Sequence, residues 1–156
     1  MVIKVAKVKM DSKSTCYCHL VQLLRDTSYL LNQTYIVHWN LMGGKFYSIH
    51  KLTQEIYEEM QDGLDVIAEH LRSLDISTPM TVEDLNNAVM QPIPESCFDQ
   101  DGMIRALAVN HNSLAESFNL LAEEAEAMQD QLTLDLAIER GRVHKKFQWL
   151  LKSNLG

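Results

Sequence analysis

The sequence predicts an all-α fold, a four-helix bundle with one long crossover. Three observations predict it. Apolar residues recur at three- and four-residue steps in four separate stretches, no strand-like alternation follows the first nine residues, and all three prolines fall in one central segment of about 25 residues. With 156 residues, 46% of them hydrophobic, the chain is the size of one domain with one core.

Taken in order, the opening MVIKVAKVKM mixes apolar and basic residues. It lacks the apolar run of a signal peptide, and no stretch approaches the ~18 apolar residues that span a bilayer, so a cytoplasmic location is expected. Residues 1–14 read as a short basic arm and residues 15–156 as the bundle domain. In the first thirteen residues Lys4, Lys7, Lys9 and Lys13 face one acid, Asp11, a net +3 that leaves −10 for the rest of a chain whose net charge is −7. An acidic body excludes nucleic-acid binding by the general surface and leaves the arm as the part able to meet phosphate.

The first helix is expected from about Thr15 to Met42, with the stripe Leu20, Leu24, Leu31 and Tyr35 and no internal Gly or Pro. Gly43-Gly44 ends it. A second helix, about 46 to 74, carries Ile49, Leu52, Ile56, Met60, Leu64, Ile67 and Leu71. The segment after it holds Pro79, Pro92 and Pro94, and Thr81-Val82-Glu83-Asp84 resembles a helix start, so a small helix is expected at about 82–90. Beyond Asp101 a third helix is marked by Met103, Leu107, His111, Leu114, Phe118 and Leu121, and a fourth by Leu132, Leu136, Val143, Phe147 and Leu150. Short turns inside each pair and a long connection between pairs describe the ferritin-like arrangement. Another antiparallel helical bundle is the alternative, because stripes alone do not fix connectivity. Cys16, Cys18 and Cys97 are odd in number and form no C-x-x-C pair, so they read as reduced thiols outside any disulfide or zinc framework.

Within VHWNLMGGKFYSIHKL, His38 and His50 lie six positions to either side of Gly44. If the first two helices run antiparallel from that turn, the two imidazoles face each other, and imidazole nitrogen is a good ligand for iron, zinc and copper. Carboxylates that would favour an oxidised metal stand at Asp65 and Glu69, four apart on one helical face. One chain cannot close this ring of ligands, since fifteen residues of helix separate His50 from Asp65 by roughly 22 Å. Two copies packed antiparallel through the second helix would bring the histidines of each opposite the carboxylates of the other, giving two equivalent sites. A site inside one bundle would use Glu-x-x-His, and the chain contains no such motif.

The stretch H38-W-N-L-M-G-G-K-F-Y-S-I-H50 followed by D65-V-I-A-E69 closely resembles the core motif of the Dps proteins, the bacterial mini-ferritins named as DNA-binding proteins from starved cells. FQWLLKSNLG is similar to their last helix, and the resemblance covers about residues 15–155. It implies a shell of twelve subunits, built from two-fold dimers, that oxidises iron (Fe2+ to Fe3+), preferentially with hydrogen peroxide and otherwise with dioxygen, and stores the ferric oxide. Carried over by position, His38 and His50 are ligands from one chain, and Asp65 and Glu69 from its partner. Trp39 falls where the family's tryptophan takes up an oxidising equivalent, or else packs at the interface. Gln54 stands where the family usually has an aspartate, so the second iron position is expected to be weaker. Asp130 and Asp135 fall where the family's acidic iron-entry pores lie; as alternatives, Asp130 caps the last helix and Asp135 faces solvent. The other histidines, His19, His70, His111 and His144, have no partner legible in the sequence, although His111 lies on a core stripe.

The function expected is therefore a ferroxidase and iron store that removes Fe(II) and peroxide together and so protects against oxidative damage. A DNA-compacting shell with a weak metal site is the second reading: twelve arms at about +3 would bind phosphate multivalently. Against it, Val2, Ile3, Val5 and Val8 give the arm an apolar side with which to dock on the shell instead. A non-catalytic shell that binds a receptor is the third.

Overall fold

The computed structural model describes the backbone of residues 12–156 and the side chains from residue 14 onward. Lys4, Lys7 and Lys9, and the side chain of Lys13, lie outside the described residues. Five α-helices follow one another: α1 Ser12–Asn40, α2 Phe46–Ser73, α3 Val82–Leu85, α4 Gln100–Ala127 and α5 Gln131–Lys152, with a 3-10 turn at Glu95–Cys97. The ferritin-like four-helix bundle is thus formed by α1, α2, α4 and α5, with a short helix between the second and the third of these. α1 begins three residues before the expected start, inside the segment read as an arm.

α1 and α2 form one antiparallel pair and α4 and α5 the other; α1 packs on α4 and α2 on α5 to close the bundle. The core runs along their shared interior, from Leu20, Leu24 and Leu30 through Ile56, Met60 and Ile67 to Leu107, Leu114, Phe118 and Leu121. Gly43 makes the first turn possible. Its φ of +119° suits glycine, and a Cβ there would fall 2.5 Å from Gln100 Oε1, the atom that accepts the Lys45 N–H at 2.8 Å.

Two helix ends share one device. After α2, Asp75 (φ +59°) turns the chain left-handed, its N–H meets the Arg72 carbonyl at 3.1 Å and the Ile76 N–H meets the Leu71 carbonyl at 3.0 Å. After α4, Gln129 (φ +59°) does the same, with Gln129 N–H on Glu126 and Asp130 N–H on Ala125, both at 3.0 Å. Both are Schellman closures that satisfy the last helical carbonyls.

Two expectations need correction. The small helix is one turn, Val82–Leu85, instead of 82–90: Thr81 caps it through its side chain on the Asp84 N–H, and by Asn87 and Ala88 the chain makes only turn contacts. The buried side of α5 is also rotated from the expected stripe, with Leu132 74% exposed and Val143 and Leu150 only partly covered. Thr133, Ala137, Arg140, Gly141 and His144 are buried there. Small residues let α5 approach α4 closely, and two polar residues find partners in the interior, neither of which an apolar count detects. No helix among the described residues is long and apolar enough to cross a membrane.

Candidate metal centre

His38 lies in the last turn of α1 and His50 one turn into α2, and the Gly43-Gly44 turn folds the two together. Their rings stack with centroids 3.8 Å apart and planes 17° from parallel. His50 Nδ1 sits 3.0 Å from the His38 carbonyl, which can only accept, so Nδ1 carries the proton. His38 Nδ1 sits 2.9 Å from Thr53 Oγ1, and that hydroxyl gives its own proton to the Ile49 carbonyl at 2.7 Å. Thr53 therefore accepts from His38. Both imidazoles are held in the Nδ1–H tautomer, and in each the Nε2 lone pair is left for a ligand.

His38 is only 8% exposed, and its pKa is lowered, first by burial and then by the neighbouring His50. Both effects favour the neutral ring, the form that binds a cation. Tyr57 meets His38 edge-on at 5.1 Å and Phe46 tilts against His50 at 5.0 Å, so aromatic rings wall the pair. Trp39, 68% exposed, stacks on Tyr35 at 5.6 Å, and Tyr35 in turn meets Tyr57 at 4.8 Å. Sequence reasoning missed Thr53, Tyr35 and Tyr57. A threonine three residues past a candidate ligand, at a core position, was the available signal for the first.

Asp65 and Glu69 are exposed on α2. α2 is one unbroken helix, so the separation from His50 stays at roughly 22 Å along its axis. Among the described residues, no three His, Cys, Asp or Glu side chains converge in a way that would hold a metal. The chain thus brings His38 to His50 and leaves Asp65 and Glu69 at the far end of the same helix. Gln54, half-buried one turn past His50, donates its Nε2 to Glu58 Oε1 at 2.8 Å.

At the other end of the bundle Asp130 caps α5, accepting the Thr133 N–H at 3.1 Å, the Thr133 hydroxyl at 2.7 Å and the Tyr17 hydroxyl at 3.2 Å. Burial alone would raise its pKa, but these hydrogen bonds hold it below the usual aspartate value. Asp135 is exposed on α5. The four histidines without a legible partner all have one. His19 meets Glu124 at 3.0 Å, His70 meets the Thr133 hydroxyl at 2.8 Å, and His111 and His144 meet each other, Nδ1 to Nδ1, at 3.0 Å in the bundle interior.

A family model described as a ferritin-like domain matches residues 17–156. The DNA protection during starvation protein of Helicobacter pylori is 26% identical over 137 residues, which cover 87% of this chain and 95% of that protein. An uncharacterized low temperature-induced protein of Nostoc is 29% identical over 136 residues, 86% of this chain and 76% of that one. Among solved structures, Dps from Thermosynechococcus elongatus superposes with a TM-score of 0.87 at 24% identity, covering 93% of this chain and 92% of the other.

Proposed function

The chain belongs to the Dps family within the ferritin-like superfamily, and from that premise we propose that it is a ferroxidase whose substrate, Fe(II), is oxidised at a site shared between two copies and stored as ferric oxide inside a shell of twelve. The observation that carries the reading is the stacked pair His38 and His50, each with Nδ1 bonded inward and Nε2 free. Histidines serving only to cap or pack would not need both rings fixed in one tautomer with the same nitrogen uncommitted.

In this reading His38 and His50 bind and orient the ferrous ion as neutral donors. Asp65 and Glu69 of the partner subunit supply negative charge, which favours the ferric over the ferrous state and so lowers the barrier to electron loss. Hydrogen peroxide takes two electrons, one from each of two ferrous ions; dioxygen is the slower oxidant. Asp135, exposed on α5, is the acid proposed to line an iron pore, whereas both oxygens of Asp130 are already engaged. The role is cytoplasmic protection against Fenton chemistry. A second reading, DNA binding through the lysines of residues 1–14, is favoured by the name of the Helicobacter pylori relative and by the +3 charge of that segment.

The test uses two variants, His38→Ala with His50→Ala, and Asp65→Ala with Glu69→Ala. Each alone has no complete shared site and should oxidise Fe(II) slowly. Unfolded together and reassembled, random pairing makes about half of the dimers mixed, with one of two sites restored in each, so roughly a quarter of wild-type fast oxidation returns. A site within one chain would recover nothing in shells confirmed to be reassembled.

A further inference from the structure

Gln54 brings no charge to the proposed site, and an amide faces a cation well only through its oxygen. The structure gives it a neighbour that decides which end faces where. Along α2, His50, Gln54 and Glu58 follow at one-turn steps on one face, and the Gln54 side chain meets Glu58 Oε1 at 2.8 Å. An ionised carboxylate has no proton to give, so the NH2 group of Gln54 must face Glu58 and the carbonyl oxygen must be turned away from it.

We infer that Glu58 is a positioning residue: it orients the Gln54 amide so that its carbonyl oxygen is presented to a metal ion beside His50, and Gln54 with Glu58 together do what a directly bound carboxylate would do. This rests on the shared iron site proposed above. A cation at the Gln54 oxygen polarises the amide and strengthens its hydrogen bond to Glu58, so binding and orientation reinforce each other. Glu58 is exposed and Gln54 half-buried, so substitutions there leave the core untouched.

The experiment is anaerobic titration of the assembled protein with Co(II), read by visible d–d absorption and by calorimetric stoichiometry. A first Co(II) at the histidines and a weaker second are expected in the wild type. Glu58→Ala should weaken the second by roughly three- to tenfold, the worth of one hydrogen bond, and leave the first unchanged. Glu58→Gln can donate to the Gln54 oxygen as well as accept from its NH2, so it no longer fixes the amide and should also weaken the second ion, by no more than Glu58→Ala does. In a Gln54→Asp background, Glu58→Ala should cost nothing, since a carboxylate needs no orienting. The same loss in both backgrounds would mean that Glu58 acts only as a distant negative charge and would overturn the inference. So would a wild type that binds no second ion. Absence of even the first Co(II), or its persistence without His38 and His50, would instead overturn the site itself.

Discussion

Acidification from about pH 7.5 to about pH 5 should weaken the bundle through His111 and His144, because their burial keeps them from taking up protons while folded. Both are fully buried between α4 and α5, where Phe118 stacks on His144 and Phe147 stands edge-on to His111. Burial first, and then the positive charge of Arg140, pushes His111 down to about 3. His144 is held well below the usual histidine value by burial, by His111 and by Arg140, while Glu59 from α2, paired with Arg140, offsets only part of that charge. In the folded chain the two neutral rings share one Nδ1 proton, and protonating both would set N–H against N–H at 3.0 Å. The unfolded chain takes up protons near pH 6.5 and the folded chain does not, so stability is full above that value and falls below it, for His111 down to about 3. His111 contributes about 1.4 kcal/mol per pH unit, which makes roughly 2 kcal/mol at about pH 5, and His144 adds to the loss in the same direction. The measurement is urea unfolding followed by far-UV circular dichroism at fixed protein concentration, with wild type compared with a His111→Asn, His144→Asn variant that retains hydrogen-bonding groups but cannot titrate. The variant starts less stable and should lose less between pH 6.5 and 5. Parallel pH profiles would refute the argument that these two groups carry the acid sensitivity.

Three further outcomes are expected. Gly63→Ala would place a Cβ 2.3 Å from the buried Arg140 guanidinium, which is fixed by Glu59; breaking that pair should cost about 3 kcal/mol in thermal unfolding, whereas Gly44→Ala, with nothing within 4 Å, should change little. Asp130→Ala removes the α5 cap and should cost about 1 kcal/mol at neutral pH. Because the folded-state pKa is lowered, that difference should shrink as acid titrates the carboxylate below its ordinary 3.8, and denaturant midpoints at the two pH values check it. Deleting residues 2–13 should abolish any gel shift of duplex DNA and leave Fe(II) oxidation intact; a surviving shift would place DNA binding elsewhere.

The four long helices were legible because their core positions are apolar at helical spacing, and His38 and His50 because their symmetry about Gly44 becomes contact once the helices fold back. The partnerships of His19, His70, His111 and Arg140 were not. Each joins residues more than thirty positions apart in different helices, and no local period encodes such a contact. The His111–His144 pair left one trace, a titratable residue on an otherwise apolar stripe, which in a helix interior asks for a polar partner across the interface. The rotation of α5 was hidden because glycine, alanine and threonine at its buried positions register close approach and not hydrophobicity. The orientation of Gln54 depended on a side-chain hydrogen bond that spacing permits but does not require.

The turn that carries the two candidate ligands is fastened to the opposite helix pair. Gln100 at the start of α4 accepts the Lys45 N–H while sitting over Gly43, and the Lys45 ammonium reaches Asp101 at 2.9 Å. The distance between His38 and His50 is therefore a property of the docked bundle and not of a free hairpin. Metal bound across them would act as a tether on tertiary docking, raising hydrogen-exchange protection at the start of α4, a segment that contributes no ligand. Conversely, loosening Gln100 would degrade metal affinity from outside the coordination sphere.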